Sequence, residues 1–317
     1  MSTSLRLFAI ITLAAVCSLA TTKAAEPAAD KAKKDSKELV GDPKASPGVI
    51  KPNLNDAAMD KAGFRLGVQA YTFREMSLYE TLDTMKYLGI HYVELYGGQK
   101  LSKENPNIKV GHDMPAQYID EMLAKLKEAN VTAVSYGVTD VGTTEASARK
   151  VFDWAKKIGL ENVVSEPKVD MQLFTMLDKL CNEYQINLAM HDHPKPSTYW
   201  NPDTVLKVSE GRSKRIGSCS DTGHWLRSGL VPTECIKQLN GRVIELHLKD
   251  INDQKQDVPW GMGKVDAKGI MEALHAQNPQ NKPAFFIEYE SSHGTDLANN
   301  VGKCCENFSK YCEEMTK

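Results

Sequence analysis

The sequence predicts an α/β chain built on one (β/α)8 barrel, preceded by a leader and a spacer. Three observations carry that prediction. From Gly63 onward a short apolar, β-branched run is followed by an amphipathic helix, eight times over. Such strict alternation requires a parallel sheet with helical crossovers. Eight units in the 255 or so residues from Gly63 to Lys317 match the size and count of a closed barrel. Ionisable residues also recur near the ends of the runs, about one unit apart, which is where a barrel collects its chemistry. A doubly wound open sheet is the alternative, but no glycine fingerprint follows the first run.

Residues 1–25 read as a signal peptide. Arg6 gives a short basic start, and Leu7–Ala20 is apolar except for Thr12 and Ser18. Small residues follow as cleavage sites. That run is too short to span a bilayer comfortably, so no stable membrane insertion is expected after cleavage. Cys17 follows Val16, a poor lipid-attachment context. Residues 26–62 hold Ala, Lys, Asp and Pro and no aromatic residue, and read as a disordered linker. The domain expected at 63–317 is therefore exported, periplasmic or secreted. Its six cysteines could pair in an oxidising compartment or serve as buried small hydrophobes.

Within the barrel the expected strands are 66–73, 91–95, 131–136, 162–166, 186–191, 215–220, 242–248 and 284–289. The expected helices are 78–88, 115–129, 145–158, 171–184, 201–209, 232–239, 267–276 and 296–314. Pro115 at a helix start and Leu78, Leu82, Met85 and Leu88 on one face are typical of the signals used. The net charge of −2, from 39 Lys+Arg and 41 Asp+Glu, argues against a nucleic-acid binder that relies on bulk positive charge.

The strand ends carry Glu94, Glu166, His191, Asp221, His247 and Glu288. Glu166 to His191, His191 to Asp221 and Asp221 to His247 are 25, 30 and 26 residues apart, each about one βα unit. The longer step to Glu288 contains the loop around 251–265. Residues repeating at the unit length should converge over the barrel opening. A ring of carboxylates and imidazoles suits one divalent cation, and mixed N/O donors favour Mn, Co or Zn, with Mg also possible. The expected metal set is His191, Asp221, His247, Glu288 and Glu166, of which only some need bind. Asp221 also reads as a helix cap and His247 as a core histidine. Glu288, inside an apolar run, must be paired or coordinated. Glu94, His193, His224 and Lys249 are candidates for substrate contact, each with a structural alternative.

With those residues in place, the chain resembles the sugar phosphate isomerase/epimerase family, the xylose isomerase-like TIM barrels. The resemblance runs from about Phe64 to Tyr311. It rests on Asp221-Thr222-Gly223-His224, His247-Leu248-Lys249-Asp250, Trp260-Gly261-Met262-Gly263-Lys264-Val265-Asp266 and Ile287-Glu288. It implies a metal held by an acidic residue of the fifth strand and by Asp221, His247 and Glu288. It also implies enediolate chemistry next to a carbonyl and Trp260 among the substrate contacts. This chain has His191-Asp192-His193 where the family commonly has a fifth-strand Glu, and Glu166 is the expected substitute carboxylate. The implied activity is isomerisation or epimerisation of a small carbohydrate, with Glu166 or Glu288 as catalytic base. A keto-sugar lyase or dehydratase and a non-catalytic sugar-binding barrel are the alternatives. Related endonuclease barrels need His ligands on the second and third strands. Glu94 and Tyr136 fall near those places, so no nucleic-acid partner is expected.

Overall fold

The computed structural model describes residues 48–277 and 282–317. The expected signal peptide and residues 26–47 of the expected linker lie outside the described residues. Eight parallel strands close into a barrel: β1 (Arg65–Gln69), β2 (Tyr92–Leu95), β3 (Thr132–Tyr136), β4 (Asn162–Ser165), β5 (Asn187–His191), β6 (Ile216–Asp221), β7 (Val243–Leu248) and β10 (Ala284–Ile287). A two-stranded hairpin, β8 (Asp250–Ile251) and β9 (Asp257–Val258), stands on the loop after β7. This is the closed (β/α)8 architecture that the alternation predicts.

The helices follow their sequence signals. Ser77 and Glu80 form a capping box at α2 (Leu78–Leu88), and Gly89 ends it in the left-handed region at φ 75°. Asp170 caps α5 (Met171–Tyr184), and Asn201 caps α6 (Pro202–Ser209) with Pro at the helix start. Helices α3 (Ala116–Ala129), α4 (Glu145–Ile158), α8 (Pro232–Gln238), α9 (Ala267–Ala276) and α10 (Gly294–Met315) complete the ring. No helix among the described residues is long and apolar enough to cross a membrane. All six described cysteines are buried and unpaired.

Three elements differ from expectation. The first strand stops at Gln69, because the Gln69 side chain accepts from the Tyr71 amide at 2.6 Å and turns the chain into a 3-10 segment, Ala70–Phe73. A short helix, α7 (Thr222–Arg227), follows β6 directly. Finally, residues expected to belong to the linker hold α1 (Asp56–Ala62), with Ala58, Met59 and Ala62 buried. It is too short to persist alone. The C-terminal helix α10 supplies the contacts: Ser309 accepts from the Asn55 amide and Glu313 from the Asn55 side chain.

Strand alternation fixes what faces inward. Leu188 and Met190, Leu246 and Leu248, and Phe285 and Ile287 all join the large apolar cluster that includes the helix faces. By the period of two, His191, Glu245 with His247, and Glu288 point to the barrel axis. The register brings these side chains together. Asp221 pairs directly with His247, while Asp221 and Glu288 lie two residues beyond the partners of His191 and His247. Those two-residue steps follow the shear of a closed barrel.

Candidate metal centre at the barrel mouth

His191, Asp221, His247 and Glu288 each offer a donor atom, and these atoms all lie within 4.8 Å of one another. His191 Nε2 is 3.1 Å from His247 Nδ1 and 4.0 Å from Asp221 Oδ2. His247 Nδ1 is 3.2 Å from Glu288 Oε2. On the other side of its ring, His247 Nε2 meets Glu94 Oε2 at 2.7 Å. A carboxylate only accepts, so Nε2 carries the proton and donates. In neutral His247 the lone pair then lies on Nδ1, facing the cluster.

Asp221 caps a helix with one oxygen and turns the other toward the cluster. Its Oδ1 accepts from the His224 amide at 2.9 Å and caps α7. Its Oδ2 is buried with no hydrogen-bond partner, as are Glu288 Oε2 and His191 Nδ1. Buried polar atoms are ordinarily satisfied. Unfilled oxygens facing an imidazole nitrogen are the chemistry a divalent cation requires, so the donor set fits one. Burial raises the pKa of Asp221 and Glu288, but nearby positive charge, that of Lys249 beside both, outweighs it and holds both ionised.

Glu166 stands just past β4 and approaches the other nitrogen of His191, with Oε1 at 3.5 Å from Nδ1. The same oxygen bonds His193 Nδ1, and Ser197 donates to Oε2 at 3.2 Å. Burial alone would raise the Glu166 carboxyl, but the adjoining His191 and His193 imidazoles hold it at about 2. Glu166 thus adjoins the four-residue group across the His191 ring. His193 is half exposed, and its pKa is raised by Glu166. His224 Nδ1 lies 3.1 Å from the Arg227 guanidinium, which can only donate, so neutral His224 carries its proton on Nε2, 3.5 Å from Asp221 Oδ2.

The remaining expected residues are enclosed. Glu94 has no exposed surface and takes a second bond from Gln69 at 3.3 Å. Trp260 is 1% exposed; its Nε1 donates to the Leu248 carbonyl at 2.7 Å and its ring packs on Phe308. The Gly261-Met262-Gly263 loop after it is gathered by Asp250, which accepts from the amides of Gly261, Gly263 and Val265. Lys249 is buried, with Nζ at 3.2 Å from Asp221 Oδ2, 3.0 Å from Glu288 Oε2 and 2.9 Å from Glu290 Oε1.

Sequence reasoning missed Glu245, Cys219, Asp192 and Glu290. Glu245 accepts from Ser135 at 2.8 Å and Asn162 at 2.6 Å inside the barrel. With Glu94, Cys219 and His247 it forms a second group of metal-type residues, but its oxygens are already filled by these bonds. Asp192 accepts from the Asp221 amide at 2.7 Å. The signal for Glu245 and Glu290 is period two: each stands two residues from a singled-out residue, hence on the same side of an extended chain.

Comparison with known proteins agrees with this architecture. The family described as xylose isomerase-like TIM barrel matches residues 82–306. No curated protein matches the chain. Among solved structures, an uncharacterized protein from Parabacteroides distasonis is 28% identical, with a TM-score of 0.62 over 80% of this chain and 99% of its own. A D-tagatose 3-epimerase-like protein is 16% identical, with a TM-score of 0.59 over 80% of this chain and 98% of its own. The IOLI protein, solved with a zinc atom, is 14% identical, with a TM-score of 0.55 over 80% and 99%. The last two likenesses are of fold alone. The family match spans most of the chain and includes Glu94, Glu166, His191, Asp221, His247 and Glu288, so this protein belongs to the xylose isomerase-like TIM barrel family.

Proposed function

We propose that the chain is a divalent-metal-dependent isomerase or epimerase of a free sugar or keto-sugar. The observation that carries this reading is the convergence of His191, Asp221, His247 and Glu288 with buried carboxylate oxygens left unbonded. These four residues would hold the ion, and their mixed N/O character favours Mn, Co or Zn. Bound there, the ion supplies Lewis acidity to a substrate carbonyl and so acidifies the hydrogen on the adjacent carbon.

The protein's own groups do the rest. Glu94 keeps the His247 proton on Nε2 and its lone pair toward the donors. His224, neutral because burial depresses it to about 3, stands with Nε2 3.5 Å from Asp221 Oδ2 without adding charge there. In this reading Glu166, ionised and partly exposed, takes the substrate proton, and the half-exposed His193 bonded to it exchanges that proton with solvent. Glu288 is the other carboxylate able to act as base. Return of the proton to the opposite face gives an epimer; return to the neighbouring carbon gives an isomer. The export expected from residues 1–25 favours an unphosphorylated sugar.

The test is elemental mass spectrometry of the purified protein beside an Asp221→Ala/His247→Ala double variant. We expect about one Mn, Co or Zn per chain, lost in the variant. Keto-sugars incubated with the metal-loaded protein in D2O should then gain deuterium at the carbon beside the carbonyl. Absence of metal from both proteins after reconstitution would overturn the proposal.

A further inference from the structure

Lys249 is the cation that the mouth carries in its own sequence. Its side chain has no exposed surface, so it does not meet solvent or an incoming sugar directly. Two motifs build its niche. Gly223 lies so close that a Cβ there would stand 2.9 Å from Lys249 Cγ and 3.0 Å from Cδ, so only glycine lets the stem pass. Thr222 Oγ1 accepts from the Lys249 amide and donates to the Lys249 carbonyl, both at 2.9 Å, which locks the two segments together.

The ammonium faces three carboxylates, but it does not treat them alike. Its hydrogen bond goes to Glu290 Oε1 at 2.9 Å. Asp221 Oδ2 and Glu288 Oε2 lie within 3.2 Å of it as ion pairs, without the directed geometry of a hydrogen bond. Glu290 is itself anchored, its amide bonded to Asp257 and its carbonyl to Arg74. The charge therefore sits beside the two ligand oxygens while its directed bond is made elsewhere. The oxygens keep lone pairs for a metal, and the metal must bind next to a fixed positive charge.

Resting on the metal reading above, we propose that Lys249 is a built-in counter-cation that lowers the affinity of the Asp221–Glu288 pair for divalent ions, and that Glu290 is the tether that turns its directed hydrogen bond away from them. Like charges a few ångströms apart in a buried site repel strongly. Without the tether, the ammonium turns its hydrogen bonds to Asp221 and Glu288 and competes for their lone pairs. A merely structural lysine behaves differently: its removal would loosen the site and weaken binding.

The test is the affinity of the metal-stripped full-length chain for Mn²⁺ and Zn²⁺, measured by competition with a chromophoric chelator. We expect Lys249→Gln to tighten binding about tenfold or more, equivalent to about 1.4 kcal/mol. Glu290→Gln alone is expected to weaken it several-fold. Because Glu290 acts through Lys249, the double variant should match Lys249→Gln rather than the sum of the two changes. Unchanged or weaker binding by Lys249→Gln, or strict additivity in the double variant, overturns the proposal while leaving a metal centre in place. Should Lys249→Gln not fold, Glu290→Gln decides: weakened binding supports the tether, and unchanged affinity overturns it. Failure of the wild type and every variant to bind either ion would instead overturn the metal reading, and this inference with it.

Discussion

His247 divides the polar interior into two carboxylate pairs that differ in how their oxygens are bonded. Below it, Glu94 accepts from His247 and Gln69, while Glu245 accepts from Ser135 and Asn162, so all four oxygens are occupied. Above it, Asp221 Oδ2 and Glu288 Oε2 have no hydrogen-bond partner. Burying a charged group without compensation is costly. The lower pair is compensated by fixed protein donors and belongs to the scaffold. The upper pair relies on nearby positive charge and is open to a ligand. Among these carboxylates, the state of each oxygen separates groups satisfied by the protein from groups open to a ligand better than burial does.

The largest expected effect is on the upper pair. Asp221→Asn keeps an oxygen to cap α7 but removes the charge that faces the cluster. Metal affinity should fall by more than the ~10–100-fold typical of losing a partner outside the coordination sphere. The melting temperature should change little, because no bonded oxygen is lost. A variant that retains metal would place Asp221 with the scaffold group and erase the distinction.

The lower pair should answer to pH instead. Burial, followed by the charge of Glu94, pushes the Glu245 carboxyl up to about 8, despite the bonds from Ser135 and Asn162. The folded state therefore holds this proton more tightly than the unfolded chain, whose carboxyl titrates near 4.5. Below the unfolded value both states are protonated and the group is neutral in effect. As pH rises from there toward 8, the folded state is destabilised progressively, by about 1.4 kcal/mol for each pH step of one. Glu245→Gln removes that destabilisation. Relative to wild type it should be more stable in urea melts at pH 8 and near neutral in effect at pH 5, with metal stoichiometry unchanged.

Much of this was legible in the sequence, for reasons that individual residues make plain. The strand ends at His191, Asp221 and His247 could be placed because a parallel barrel converts unit spacing into proximity. Asp221 and His247 are indeed direct register partners. The helix at Asp56–Ala62 was not legible, since seven residues carry too little pattern and its stability comes from α10, some 250 residues away. The division of labour between Glu94 and Glu288 was hidden for a different reason. Both end barrel strands, and only the height set by shear tells which side of His247 each one occupies. Glu245 could have been found by reading β7 two residues at a time.

Between the two pairs stands the bond from His247 Nε2 to Glu94, and it sharpens the comparison. Glu94→Gln retains an acceptor but removes the charge that fixes the imidazole proton. Metal affinity should drop roughly 10–100-fold. The melting temperature of the metal-free protein should fall only modestly. Equal loss with Glu94→Gln and Asp221→Asn would mean that both pairs share one function.

The smallest expected effect concerns Trp260, which the family resemblance puts near the substrate and whose burial puts it with the scaffold. Its indole donates to the carbonyl of Leu248, two residues from Asp250 and one beyond His247. Trp260→Phe keeps an aromatic ring against Phe308 but leaves that buried carbonyl without its donor. An unsatisfied buried group costs about 1–3 kcal/mol, so a loss near the lower end is expected in chemical unfolding. If the indole only supports the strand end, KM for a turned-over keto-sugar stays at the wild-type value while stability falls. A raised KM at unchanged stability would move Trp260 to the open side of the barrel and make it a substrate contact.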